Sequence, residues 1–255
     1  RKMQPIYEVE NNWKGWGSCL KPSYEPIIIA RKPFKGTLID NVINNGVGGL
    51  IGYIYHYTNT GSGTSSIKIN DVFATGRVYS NATAGGAIGS IYQSNFYSGA
   101  EVVYMTIDNM YSTGRVNCTT NAGGLIGYSS DSVNLCYSTG NVEAVNSSVG
   151  GLIGLLSLNN EFKTITLQKS YATGNVKGED SIGGIVGSVF NNITENTSNT
   201  RVSTINISNV FATGNVEGND SVSAGFGSVY RKAGVGSYAS YKTANIVINN
   251  VYAIG

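Results

Sequence analysis

Gly183-Gly184-Ile185-Val186-Gly187, followed by Phe211-Ala212-Thr213-Gly214-Asn215-Val216, is the fullest form of a pattern that fills most of this chain. The aromatic half recurs at Phe73-Ala74-Thr75-Gly76, Tyr111-Ser112-Thr113-Gly114, Tyr137-Ser138-Thr139-Gly140, Tyr171-Ala172-Thr173-Gly174 and Tyr252-Ala253-Ile254-Gly255. The glycine half recurs at Gly48-Gly49-Leu50-Ile51-Gly52, Gly85-Gly86-Ala87-Ile88-Gly89, Gly123-Gly124-Leu125-Ile126-Gly127 and Gly150-Gly151-Leu152-Ile153-Gly154, with Ser223-Ala224-Gly225-Phe226-Gly227 as a degenerate copy.

The two halves alternate under unequal constraint. From the Gly that ends an aromatic motif to the start of the next glycine motif is nine residues in four cases and ten in one. The return interval runs from nine intervening residues (Gly127 to Tyr137) to 24 (Gly227 to Tyr252). A fixed half alternating with an elastic half is the sequence signature of a solenoid coil with insertions along one edge.

Each half reads as strand. Ile67-Lys68-Ile69, Ile205-Asn206-Ile207 and Ile246-Val247-Ile248 alternate with period two ahead of the aromatic motif. The density of Gly and β-branched residues excludes helix. Just before the aromatic residue the inward phase slips: Ile69 to Val72, Ile207 to Val210 and Ile248 to Val251 are three apart rather than two. Such a slip needs a bend or bulge. Polar pairs occupy it (Asn70-Asp71, Asp108-Asn109, Ser208-Asn209, Asn249-Asn250), and side chains stacked there would hydrogen-bond from coil to coil. The fold expected is all-β: a parallel β-solenoid of about six Gly-rich repeats over residues 48–255, preceded by a short non-repeat segment, 1–47.

That segment differs in composition. All four prolines and both tryptophans fall within its first 33 residues, whereas residues 48–255 hold 30 of the 34 glycines. Only 13% of the 255 residues are charged and the net charge is +2, so nothing suggests a nucleic-acid site in the array. Three cysteines without C-x-x-C spacing and a single histidine, His56, offer neither a disulfide framework nor a metal site. No stretch approaches the ~20 apolar residues of a membrane-spanning helix.

With these residues in view, the G-G-L-I-G and Y-A-T-G-N-V pattern resembles the GLUG repeat of bacterial surface proteins, across about four-fifths of the chain. The resemblance implies a stalk or display region of an adhesin-like protein, extracellular or cell-surface, with host or bacterial surface glycans or proteins as partners. It implies no catalytic residue, cofactor or metal. Residues 1–47 are similar to something else. Trp16-Gly17-Ser18-Cys19-Leu20-Lys21-Pro22, Glu25-Pro26-Ile27 and Ala30-Arg31-Lys32-Pro33 match a stretch of phage and bacterial DNA methyltransferases of the N4-cytosine/N6-adenine type. The D/N-P-P-Y/F motif and the F-x-G-x-G loop of such enzymes are absent from the chain, so the alternative implied is a methyltransferase fragment without a complete active site. The function expected is non-enzymatic.

One set of residues stands out as a candidate ligand-binding ladder: Phe73, Tyr111, Tyr137, Tyr171, Phe211 and Tyr252. Strict alternation puts them on the same face as the following Thr, outward, as a platform suited to sugar rings. If Gly76 and its equivalents reset the phase, the ladder is core, and the general tendency of large aromatics favours that burial. Glu179-Asp180 and Glu217 with Asp220 read as solvated turns.

Overall fold

The computed structural model describes residues 46–58, 66–95, 104–159, 163–194, 200–234 and 242–255. The chain divides into two units, residues 1–37 and 38–255, and every described residue belongs to the second. The methyltransferase-like stretch therefore lies outside the described residues, apart from Gly46 and Val47.

Among the described residues all regular structure is strand, and every strand pairing is parallel. Each passage of the repeat visits four sheets in turn. Sheet I takes the start of the glycine motif in six strands: Val47–Gly48, Ala84–Gly85, Ala122–Gly123, Val149–Gly150, Asp180–Gly183 and Asp220–Ser223. Sheet II takes its end, in strands such as Ile51–Thr58 and Val186–Ile193. Sheet III carries the alternating Ile run and the aromatic residue, as in Arg201–Ala212 and Lys242–Ala253. Sheet IV holds the short strands after the Thr-Gly, such as Val116–Cys118 and Val142–Ala144.

The last passage contributes to sheets I, II and III alone, and sheet IV has five strands. Six copies of the motif thus build fewer than six complete turns, a small correction to the repeat count. The elastic interval falls between sheet II and sheet III, and at its shortest Ile126–Ser129 and Ser132–Asn134 are joined by Ser130-Asp131 alone.

Register stacks like on like. Ile51, Ile88, Ile126, Ile153, Val186 and Phe226 form one inward column in sheet II. Ile69, Ile107, Val133, Leu167, Ile207 and Ile248 form another in sheet III. The interior splits into two apolar lobes, one between sheets II and III and a smaller one between sheets I and IV.

Where the lobes meet, the coil is pinched. A Cβ on Gly124 would lie 2.2 Å from Ser138 Oγ, and one on Gly151 would lie 2.9 Å from Ala172 Cβ. The second Gly of the glycine motif thus faces the Ala or Ser of the aromatic motif across a waist too narrow for larger side chains. This contact is the physical reason that the two motifs travel together. The buried Ser112 hydroxyl is satisfied there by donating to the Gly124 carbonyl.

The phase slip also has a clear cause. One residue per coil, Asp71, Asn109, Leu135, Lys169, Asn209 and Asn250, adopts φ between 50° and 57°. The left-handed residue turns the strand, so the next side chain (Met110, Cys136, Ser170, Val210) points inward and is buried. Side chains at this bend bridge the coils: Asn109 Nδ2 donates to Asp71 Oδ1 at 2.6 Å, Asn134 Nδ2 to Asp108 Oδ1 at 2.7 Å, and Asn250 to Asn209.

Candidate functional site: an outward aromatic ladder

The six aromatic residues are in register on sheet III: Phe73, Tyr111, Tyr137, Tyr171, Phe211 and Tyr252. They face outward. Phe73 is 57% exposed and Tyr252 58%, and Tyr111, Tyr137 and Tyr171 are half-buried. Burial, which general tendency favoured, is therefore corrected. The Gly after each Thr does not reset the alternation: Tyr137 out, Ser138 in, Thr139 out, Gly140 in, Asn141 out and Val142 in run unbroken through the corner. Gly140 can sit inward because the chain passes so close to the neighbouring coil there that a Cβ would lie 2.0 Å from the Gly114 carbonyl oxygen.

The rings are stacked face to face. Centroids are 5.1 Å apart for Phe73–Tyr111, 4.8 Å for Tyr111–Tyr137, 4.9 Å for Tyr137–Tyr171 and 4.8 Å for Tyr171–Phe211, with interplanar angles between 1° and 6°. This is the coil-to-coil spacing of strands in a sheet. It also revises the idea of a sugar platform, because from Phe73 to Phe211 the faces between successive rings are covered by their neighbours. What the ladder offers to solvent is ring edges and the hydroxyls of Tyr111, Tyr137 and Tyr171, none of which has a hydrogen-bond partner among the described residues. Partial desolvation, with the adjoining Tyr111 and Tyr171, holds the Tyr137 phenol above its ordinary pKa. Beside the rings runs a column of exposed threonines, Thr75, Thr113, Thr139, Thr173 and Thr213.

Past that column, on sheet IV, lies an open groove of about 270 Å³, lined by Arg115, Asn141, Glu143, Asn175, Lys177 and Glu217 among others. Asn141 Oδ1 accepts from the Asn175 backbone N–H at 3.0 Å, and Asn175 Oδ1 from that of Asn215 at 3.1 Å. Arg115 pairs with Glu143, and Lys177 with Glu217 at 2.6 Å; this second bond raises the Lys177 pKa. The carboxylates read as solvated turn residues, Glu179, Asp180, Glu217 and Asp220, are exposed, but Asp180, Glu217 and Asp220 lie on short strands rather than in turns.

Sequence reasoning missed one pair. Asp131 and Lys163 are in contact at 2.7 Å and almost wholly buried. Asp131 sits within Ser129-Ser130-Asp131-Ser132, a string with the composition of a solvated turn, and no periodicity marks it as interior.

Among the described residues no group of three His, Cys, Asp or Glu side chains is placed to hold a metal ion, and no helix is long and apolar enough to cross a membrane. No family model, no curated protein and no solved structure matches the chain.

Proposed function

We propose that this chain is a non-enzymatic repeat segment of a bacterial surface or secreted protein, which displays a regular polar face to glycans. The observation that carries this reading is the outward tyrosine ladder beside its threonine column: aligned hydroxyls repeating at the coil spacing along one face. A contact too weak to matter at one coil becomes useful when multiplied along such a face. The GLUG-like pattern supports an extracellular or cell-surface setting. The interleaved hydroxyls favour a polyhydroxylated ligand over an apolar one.

The stacked geometry supplies the test. Phe already occupies two rungs, Phe73 and Phe211, so Tyr137→Phe with Tyr171→Phe keeps the stack and removes only hydroxyls. Glycan-array signal should fall several-fold while the melting temperature stays near that of the parent. Undiminished signal in the double variant, or no glycan bound by the parent chain, defeats the reading. The Tyr→Ala pair, by contrast, should also destabilise the array, by roughly 0.5–1.5 kcal/mol for each lost aromatic pair.

A further inference from the structure

We propose that Asp131 and Lys163 are the site of an intramolecular isopeptide bond that staples one coil to the next. Lys163 Nζ lies 2.7 Å from Asp131 Oδ1, and the two side chains are 4% and 2% exposed. Asp131 stands between the strands Ile126–Ser129 and Ser132–Asn134, and Lys163 immediately precedes Thr164–Ala172 in the following coil. The backbone around the carboxylate is fixed: the Asp131 N–H donates to Ser129 Oγ at 3.2 Å, and Ser132 Oγ accepts from the Thr166 N–H at 3.1 Å. The reacting atoms are thus held in contact on a rigid frame, the condition under which an intramolecular step gains most over its solution counterpart.

The condensation balances without a co-reactant. Nζ passes a proton to Oδ1 along their hydrogen bond and, with its lone pair freed, attacks Cγ; the Nζ–Cγ bond forms and the Cγ–Oδ1 bond breaks. Two of the three ammonium protons leave with Oδ1 as water, and the third stays on the amide nitrogen. The Ser130 hydroxyl, 3.4 Å from Oδ2, faces the oxygen that is retained and on which charge develops during attack. The driving force is the removal of two charges from a place that water does not reach. Buried ions each carry a desolvation cost, which their mutual attraction repays only in part. An amide carries none of that cost, and the expelled water joins bulk solvent. The fold makes such a staple useful, since the bond would lock together two successive coils that otherwise adhere through backbone ladders and stacked side chains.

Intact-mass spectrometry of the purified full chain, denatured before injection, tests this. The parent should be lighter than its sequence by one water. Tryptic digestion should yield a branched peptide joining the segments around Asp131 and Lys163, with no cleavage after Lys163. Lys163→Met and Asp131→Ala should each restore the full sequence mass, and this readout does not require either variant to fold. A parent at full sequence mass after prolonged incubation in the folded state overturns the proposal. So does a water loss that persists in Lys163→Met, which would mark a cyclic imide at an aspartate instead.

Discussion

The two sides of each coil answer to different rules. From the aromatic motif through sheet IV to the glycine motif, chain length is held to nine or ten residues, and small residues meet at the waist. From sheet II to sheet III the length varies more than twofold, and the strands lengthen or shorten without disturbing register: Val133 pairs with both Ile107 and Leu167 although the flanking strands differ in length. The difference is steric. On the constant side the motif glycines stand where backbones approach so closely that a Cβ has nowhere to go, while on the elastic side sheet III takes strands as different in length as Ser132–Asn134 and Arg201–Ala212. Close backbone approach therefore constrains chain length on one side of the coil and much less on the other, where packing fixes only the inward columns of the strands.

The sharpest way to break that contrast is to exchange the burdens. A Cβ at Gly150 would lie 1.8 Å from the Ile153 carbonyl oxygen, and both are backbone in adjoining strands. Gly150→Ala should cost more than about 3 kcal/mol by chemical denaturation, at or beyond the upper end of ordinary overpacking. Four Gly or Ser residues inserted between Thr194 and Thr200 should cost less than about 1 kcal/mol, since closure entropy grows only with the logarithm of loop length. Comparable losses for the two changes would refute the steric account.

A second comparison sets the lobes against each other, because each holds one free thiol. Cys118 lies in the lobe between sheets I and IV and Cys136 in that between II and III, and burial pushes both thiols from 9.0 up to about 11. A folded pKa raised above the unfolded one means that the native state holds its proton longer. The stabilisation is complete below pH 9 and is lost as pH climbs through about 11, on the order of 2 kcal/mol for each thiol. Denaturation midpoints should therefore fall between pH 9 and 11. Cys118→Ala, which copies Ala144 in its own column, and Cys136→Val, which copies Val210, should each remove part of that fall. A pH profile unchanged by both variants would show that the thiols do not titrate on unfolding as their burial requires.

These contrasts also explain what could be read from the sequence. Parallel stacking, the elastic edge and the polar bend were legible, because a solenoid repeats each constraint once per coil and so writes it several times: Asn109, Asn209 and Asn250 mark one bend three times over. The direction of the aromatic ladder was less legible, because a glycine is silent about phase; Gly114 is buried only through the approach of a neighbouring coil. The covering of ring faces depends on coil spacing, which no single repeat encodes. The Asp131–Lys163 pair occurs once, and a constraint that is not repeated leaves no periodic trace.

The smallest expected effect concerns the bend itself, where two coils depart from the rest. Asp71, Asn109, Asn209 and Asn250 suit a left-handed backbone, but Leu135, at φ 54° and half exposed, and Lys169, at φ 50°, do not. Residues other than Gly, Asn and Asp adopt this region at a cost of roughly 1–2 kcal/mol. Leu135→Asn should therefore stabilise the array by about 1 kcal/mol, in the opposite direction to most substitutions. It should also place an amide beside Asn109, extending the column of side-chain hydrogen bonds that Asn109 and Asp71 begin. Leu135→Gly separates the two contributions, since glycine relieves the backbone and adds no amide. If bridging matters, the order of stability is Asn above Gly above Leu, read from denaturation midpoints. If Gly equals or exceeds Asn, the bend is a matter of backbone conformation alone, and the polar column is a consequence of the turn rather than a clamp between coils.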